Sequence, residues 1–427
     1  DALPIYAGGF GLTGTDNVIS CGSFTTDGSG NATVNLGYEP QYILLKGSQY
    51  SSNWYIEDTM RGASQTASAI LLANTSDAEF SSTPVLKPTA TGFVSENGQL
   101  AGSAAYIYIA IRRGPMKVPT DGTTVFSANT GVNSAGTLQT SNLNMDMQWF
   151  NPRDGSGQPT YIIDRLRGID TTSTQSMNVA YMSTSSVGAE ATSTNIVSYQ
   201  WYPTTFREAA LFSSNSVWWN FRRAPGFFDE VCYSGTGVSH TEPHNLNAVP
   251  EMIIVKSRTD SLSWYVYHSA LGPTQFMILN STNTTAGSTG AWNDTAPTSS
   301  VFTVGTSLQT NYSLGKYAAY LFASCPGVSK VGNYTGNGTT QTINCGFAGG
   351  ARFVLIKRTD STGDWYVYDT ARGMTTLTDP YLRLNSTAAE SATLGSVTTV
   401  SGGFALNASI LSAINTNGAS YIFLAIA

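Results

Sequence analysis

Phe353-Val354-Leu355-Ile356-Lys357, followed after a polar loop by Trp365-Tyr366-Val367-Tyr368-Asp369, decides how this chain folds. Each half is a run of β-branched and aromatic side chains, and a loop between two such runs is the pattern of a strand and its returning partner. The phrase recurs as Met252-Ile253-Ile254-Val255-Lys256 with Trp264-Tyr265-Val266-Tyr267, and as Tyr42-Ile43-Leu44-Leu45-Lys46 with Trp54-Tyr55-Ile56. Lys357 lies 101 residues after Lys256, which lies 210 after Lys46, so a diverged copy belongs between them. It is there: Tyr161-Ile162-Ile163-Asp164-Arg165-Leu166-Arg167-Gly168 repeats Tyr55-Ile56-Glu57-Asp58-Thr59-Met60-Arg61-Gly62. A period of about 100 residues is that of a whole domain, beyond the ~20–50 of solenoid repeats. The chain therefore reads as four duplicated modules, at 1–115, 116–225, 226–326 and 327–427.

Around these phrases, apolar runs are broken by Gly, Asn, Pro, Ser and Thr clusters, and long helical periodicity is missing. Short helical turns are expected only after the Trp-Tyr strand, at Thr59 to Gly62, Arg165 to Gly168, Ala270 to Gly272 and Thr370 to Gly373. Each module closes on an apolar strand such as Tyr317-Ala318-Ala319-Tyr320-Leu321-Phe322. Gly114-Pro115, Ala224-Pro225-Gly226 and Cys325-Pro326-Gly327 then end pairing, because Pro has no N–H to donate. Strands at this spacing without crossover helices predict an all-β protein, a tandem array of about four antiparallel β-sandwich domains of jelly-roll or lectin-like topology. The short linkers predict a semi-rigid row of modules.

Only 11% of the residues are charged, and 21 Lys+Arg stand against 27 Asp+Glu for a net charge of −6. The surface is neutral and polar, and no basic stripe is present to neutralise a phosphate backbone, so nucleic acid is not an expected partner. No apolar run reaches the ~18 residues of a membrane span, and membrane insertion is not expected. Asp1-Ala2-Leu3-Pro4-Ile5 lacks a basic and an apolar targeting region. Without an initiating Met, it fits a processed or truncated precursor. Four cysteines are too few for a disulfide scaffold. A Cys232–Cys325 bridge is open, since first and last strands of a sandwich often adjoin, but four buried thiols are the favoured reading.

Catalytic and metal motifs are weak. His240-Thr241-Glu242-Pro243-His244 has the spacing of a helical zinc pair, but Pro243 would break that helix. His268 stands where other modules have Asp58, Asp164 and Asp369, which suits a hydrogen-bonding strand end better than a catalyst. The repeated Lys46, Lys256 and Lys357 and the repeated Arg61, Arg167 and Arg372 are read as structural: a lysine facing an Asp across a hairpin, and Arg-Gly closing a turn. Glu79, Glu190 and Glu390 share a loop phrase and form no assignable glycosidase pair. Asn74, Asn280 and Asn385 begin glycosylation-like triplets that fit Asx turns. No catalytic residue, cofactor or metal is expected. Trp201, Tyr202, Trp292 and Tyr312 are the candidate ligand-contacting aromatics, since flat rings offer faces to a sugar. Trp54, Trp264 and Trp365, being periodic, are expected in the core.

Val328-Ser329-Lys330-Val331-Gly332-Asn333-Tyr334-Thr335-Gly336-Asn337-Gly338, continuing into the Phe353 strand and Trp365, resembles a repeated domain of unassigned function in structural, tail-fibre-like proteins of tailed bacteriophages. So does the third module, through Val249 to Lys256 and Trp292 to Phe302. The first module matches loosely and the second poorly, with Trp149-Phe150-Asn151-Pro152-Arg153 replacing the Lys-bearing strand end. The resemblance implies a non-enzymatic virion surface protein, a tail fibre or tail-associated adhesin for host attachment. A capsid decoration or head-fibre protein is the alternative, and a polysaccharide depolymerase the second. Its expected partners are other virion proteins and host-surface glycans, in a homo-oligomer that is a trimer if the protein is a fibre.

Overall fold

The Lys-bearing run and the Trp-Tyr run pair as antiparallel neighbours, as their alternation requires, in a computed structural model. It describes residues 17–66, 68–96, 98–114, 117–131, 138–168, 179–193, 205–207, 215–375, 379–393, 396–407 and 412–427. In the fourth module Phe353–Arg358 pairs with Trp365–Asp369 and, on its other edge, with the closing strand Ser420–Ile426. Every module repeats this plan. A six-stranded antiparallel sheet takes its strands in the order first, last, third, fourth, fifth, sixth, and a second sheet of two or three strands covers one face. The protein is all-β, a set of antiparallel sandwiches. The segments after the Trp-Tyr strand, expected as short helices, are turns, and the short helices among the described residues lie elsewhere, at Thr289–Trp292, Leu308–Asn311 and Ser412–Asn415, with a 3-10 turn at Gly122–Thr124. Gly62, Gly168 and Gly373 end three of the turns after the Trp-Tyr strand at φ 113, 137 and 110°, a region costly for any residue with a Cβ.

Each six-stranded sheet has two apolar faces, and the inner one fills its own sandwich. In the third module Ile253, Val255, Tyr317, Ala319 and Leu321 pack against Phe302 and Val304 of the small sheet. The outer faces of the second, third and fourth modules meet one another. Trp149, Trp219 and Phe221 share one continuous core with Ile254, Trp264 and Tyr320, and with Leu355, Trp365 and Leu424. This explains why runs such as Met252–Val255 are apolar throughout rather than alternating, for both faces of the strand are buried.

The contacts between modules are cyclic. Backbone N–H groups of Glu190, Thr285 and Glu390 donate to the carbonyls of Arg258, Thr359 and Arg153 at 2.9, 3.2 and 3.0 Å, linking module two to three, three to four and four back to two. Trp264 Nε1 donates to Ser183 O of the preceding module at 2.9 Å, and Trp365 Nε1 to Ile278 O at 3.0 Å. Thr184 Oγ1 closes the circle on Leu384 O at 2.5 Å. The expected row of modules is thus corrected. Modules two to four form a closed pseudo-threefold ring, because their apolar outer faces can be covered only by one another.

The first module attaches to this ring by polar groups. Arg223 makes a bidentate pair with Glu39 at 2.8 and 2.5 Å and also holds Asp229, all three side chains buried. Thr66 Oγ1 donates to Arg167 O, and Asn245 Nδ2 to Ala90 O.

Candidate functional site

The Asp, Arg and Glu that recur in the first, second and fourth modules converge in space. Arg372 Nε meets Asp369 Oδ2 at 2.6 Å, its Nη1 meets Glu390 Oε2 at 3.0 Å, and its Nη2 donates to Val367 O at 2.9 Å. Arg167 does the same with Asp164, Glu190 and Ile162 O, and Arg61 with Asp58, Glu79 and Ile56 O. The guanidinium fork matches two carboxylates and a carbonyl at once, which Lys could not do. The lock is extended across modules: Arg153 and Arg258 make bidentate pairs with Glu390 and Glu190, Trp219 Nε1 donates to Asp369 at 2.8 Å, and the Tyr320 hydroxyl donates to Asp164 at 2.7 Å. In modules two to four these carboxylates tie the ring together across its joints.

A cleft of about 900 Å³ lies between the first and third modules, with the Glu190–Arg258 pair in its lining. Thr33, Gln65 and Lys87 line one wall, and Tyr233, Glu242 and Lys316 the other. Its acids are already engaged. Lys87 Nζ lies 2.9 Å from Glu96, and His240 Nε2 lies 2.8 Å from Glu242. Burial raises the Glu242 carboxyl to about 6 while His240 opposes it. Glu96 is held below its usual range despite burial, because Lys87 and Lys316 face it.

One family covers the chain at residues 18–115 and 123–427, and it is described as a domain of unknown function. The chain belongs to the DUF7483 family. No curated protein matches it.

In this DUF7483 chain the His240 and His244 side chains do not converge. His240 binds Glu242 and the 236–238 turn, whereas His244 accepts from the Leu246 N–H and faces Thr298 O. Among the described residues, no group of three or more His, Cys, Asp or Glu is placed to hold a metal. Of the candidate aromatics, Tyr312 is exposed, and Trp201 and Tyr202 lie outside the described residues. Trp292 is corrected to a core residue, its Nε1 donating to Gln275 O at 3.1 Å and its ring edge-on to Tyr267. All four cysteines are unbridged; Cys325 and Cys345 are buried, Cys232 is half-buried, and Cys21 is exposed, contrary to the expected four buried thiols.

The repeated lysines are structural in a different way from that predicted. Lys256 Nζ donates to the carbonyls of Ser257, Asp260 and, across the module joint, Val187; Lys357 Nζ donates to Gly363 O and, again across a joint, Thr282 O. Both are pulled down to about 8 by burial, with Asp260 and Asp364 opposing. The repeated asparagines cap the tryptophan strand. Oδ1 of Asn74, Asn280 and Asn385 accepts the backbone N–H of Trp54, Trp264 and Trp365 at 2.8 to 2.9 Å.

The third module departs from the lock, with His268 for Asp and Leu271 for Arg. The ring explains the exchange. Trp219 and Tyr320 each donate to a neighbouring module's Asp, but the equivalent position in the fourth module is Leu424, which has no donor to offer. A buried carboxylate there would lack both its Arg and its cross-module partner. Burial lowers the His268 imidazole to about 4, with the Phe423 backbone opposing. The unfolded chain then takes up a proton near 6.5 while the folded chain resists to about 4. Between these values the unfolded state binds more protons, so stability is lost as the pH is lowered, by up to roughly 1.4 kcal/mol per unit. Urea unfolding of the wild type and His268→Gln at pH 7 and pH 5 should show this extra acid loss only in the wild type. Equal losses would contradict it.

Proposed function

We propose that this protein is a non-enzymatic bacteriophage virion component, a tail fibre or tail-associated adhesin that binds host-surface glycans. The observation that carries the reading is the cleft between the first and third modules, rich in hydroxyl groups, with Glu96 and Glu190 paired to Lys87 and Arg258 and Glu242 hydrogen-bonded to His240. Such a lining exchanges hydrogen bonds with a sugar and retains no free carboxylate pair for hydrolysis. The closed ring supports the same reading, since it holds the wall supplied by the third module rigid, and a preformed site loses less entropy on binding. The sparse charge favours a neutral saccharide over a polyanion.

The test is retention of the purified full chain on an array of bacterial surface polysaccharides. A neutral saccharide should be bound, and Lys316→Ala should weaken that binding by about tenfold, the effect of one lost polar contact worth ~1.4 kcal/mol. No retention, together with antibody labelling that places the protein on the capsid lattice, would replace the adhesin with a decoration protein. Cleavage of the bound polysaccharide would overturn the non-enzymatic assignment.

A further inference from the structure

The first module carries the same outer face as the other three, and no described residue of the chain buries it as the ring buries theirs. Strand register fixes the equivalence. Leu44 pairs with Ile109 and Ile56 as Trp149 pairs with Trp219 and Ile162, Ile254 with Tyr320 and Val266, and Leu355 with Leu424 and Val367. On the closing strands, Phe221, Phe322 and Ile426 are fully buried in the ring, as are Trp219, Tyr320 and Leu424. Their counterparts Ile111 and Ile109 are 37% and 39% exposed, and Ile107 is 41% exposed. Three isoleucines in a row on one sheet face, beside half-buried Leu44, Trp54 and Leu71, form an apolar stripe of the kind that marks an interaction surface.

We infer that this face is the interface of a homotrimer, in which the first modules of three chains close on one another as modules two to four do within one chain. The occupant is a second and third copy because this sheet plan already forms a threefold ring three modules at a time, and the first module repeats its strand order and register. The equivalences name the contacts. Trp54 stands where Trp264 and Trp365 stand, and Leu72 where Ser183 and Ile278 stand, so Trp54 Nε1 of one chain donates to Leu72 O of the next. Likewise the Glu79 N–H meets Ser48 O of the neighbouring chain, as Glu190 meets Arg258 and Glu390 meets Arg153. Glu79 is already oriented by Arg61. The contact is heterologous and closes after three copies. This inference stands independently of the adhesin reading, because it uses only the first module's outer face.

Sedimentation of the full chain at micromolar concentration should give the mass of three chains. Ile109→Glu should reduce that mass threefold while leaving the unfolding profile of the ring unchanged, since Ile109 is not part of the ring's core. Independently, Ser48→Cys with Glu79→Cys in a Cys21→Ser background should oxidise to a covalent three-chain species that reduction dissolves. A wild-type monomer, a dimer, an Ile109→Glu protein that stays trimeric, or cross-linking that stops at two chains would each overturn the inference.

Discussion

Replacing Trp365 with Ala should lower the unfolding free energy by about 3–5 kcal/mol, the range for removing a large buried aromatic side chain. Trp365 is almost completely buried, lies in the core shared by three modules, and donates its indole N–H to Ile278 O of the third. The loss should therefore extend beyond the fourth module. Limited proteolysis should release fragments of the third and fourth modules together, because both lose cover for their outer sheet faces. The same change at Trp54, half-buried in the single chain, should cost a fraction of that in a monomeric background such as Ile109→Glu. A Trp365→Ala protein of wild-type stability would show that the ring core is not where this indole acts.

Arg372→Leu should cost a similar ~3–5 kcal/mol, by leaving a buried carboxylate without its cation. Glu390 keeps Arg153, but Asp369 loses its contacting guanidinium and keeps the Trp219 N–H, the turn and the more distant charge of Arg153. Making residue 369 neutral as well, with Asp369→Asn, should recover part of the loss, since Asn still offers an oxygen to Trp219. The coupling between the two changes should fall at about 0.5–3 kcal/mol. Urea unfolding followed by tryptophan fluorescence measures it. Additive losses would mean that the penalty is lost packing rather than an unpaired charge. The third module, with His268 and Leu271, is a natural case of removing both charges together.

Much of this was legible. The strand-loop-strand phrase is local chemistry, so its recurrence located the four modules, their antiparallel hairpins and their closing strands. Asp58, Arg61 and Glu79 and their counterparts also recur visibly, yet their convergence was hidden. Glu79 and Glu390 follow their Arg by 18 residues and Glu190 by 23, across a loop whose path sequence spacing does not define. A constant Asp-to-Arg offset of three was the available signal, and it does describe the turn in which Asp369 Oδ1 accepts the Arg372 N–H. Trp292 was misread because polar residues, Asn293-Asp294, follow it in sequence, and only the fold carries the short helix Thr289–Trp292 over Tyr267.

By itself, the sequence determined the elements and their repetition: alternation and β-branching set the strands, Gly, Asn and Pro set the turns, and a period of about 100 residues set the modules. Tertiary structure alone decided what covers each sheet's outer face. Tyr42-Ile43-Leu44-Leu45 and Met252-Ile253-Ile254-Val255 read alike, yet Leu44 is half-exposed and Ile254 is fully buried. An apolar run records that a face gains by leaving water, but the hydrophobic effect has no direction and does not name the partner. That choice rests on contacts between modules roughly one domain length apart in sequence. Here those contacts join three modules into a ring, and among the described residues they leave the first module's copy of the same face exposed.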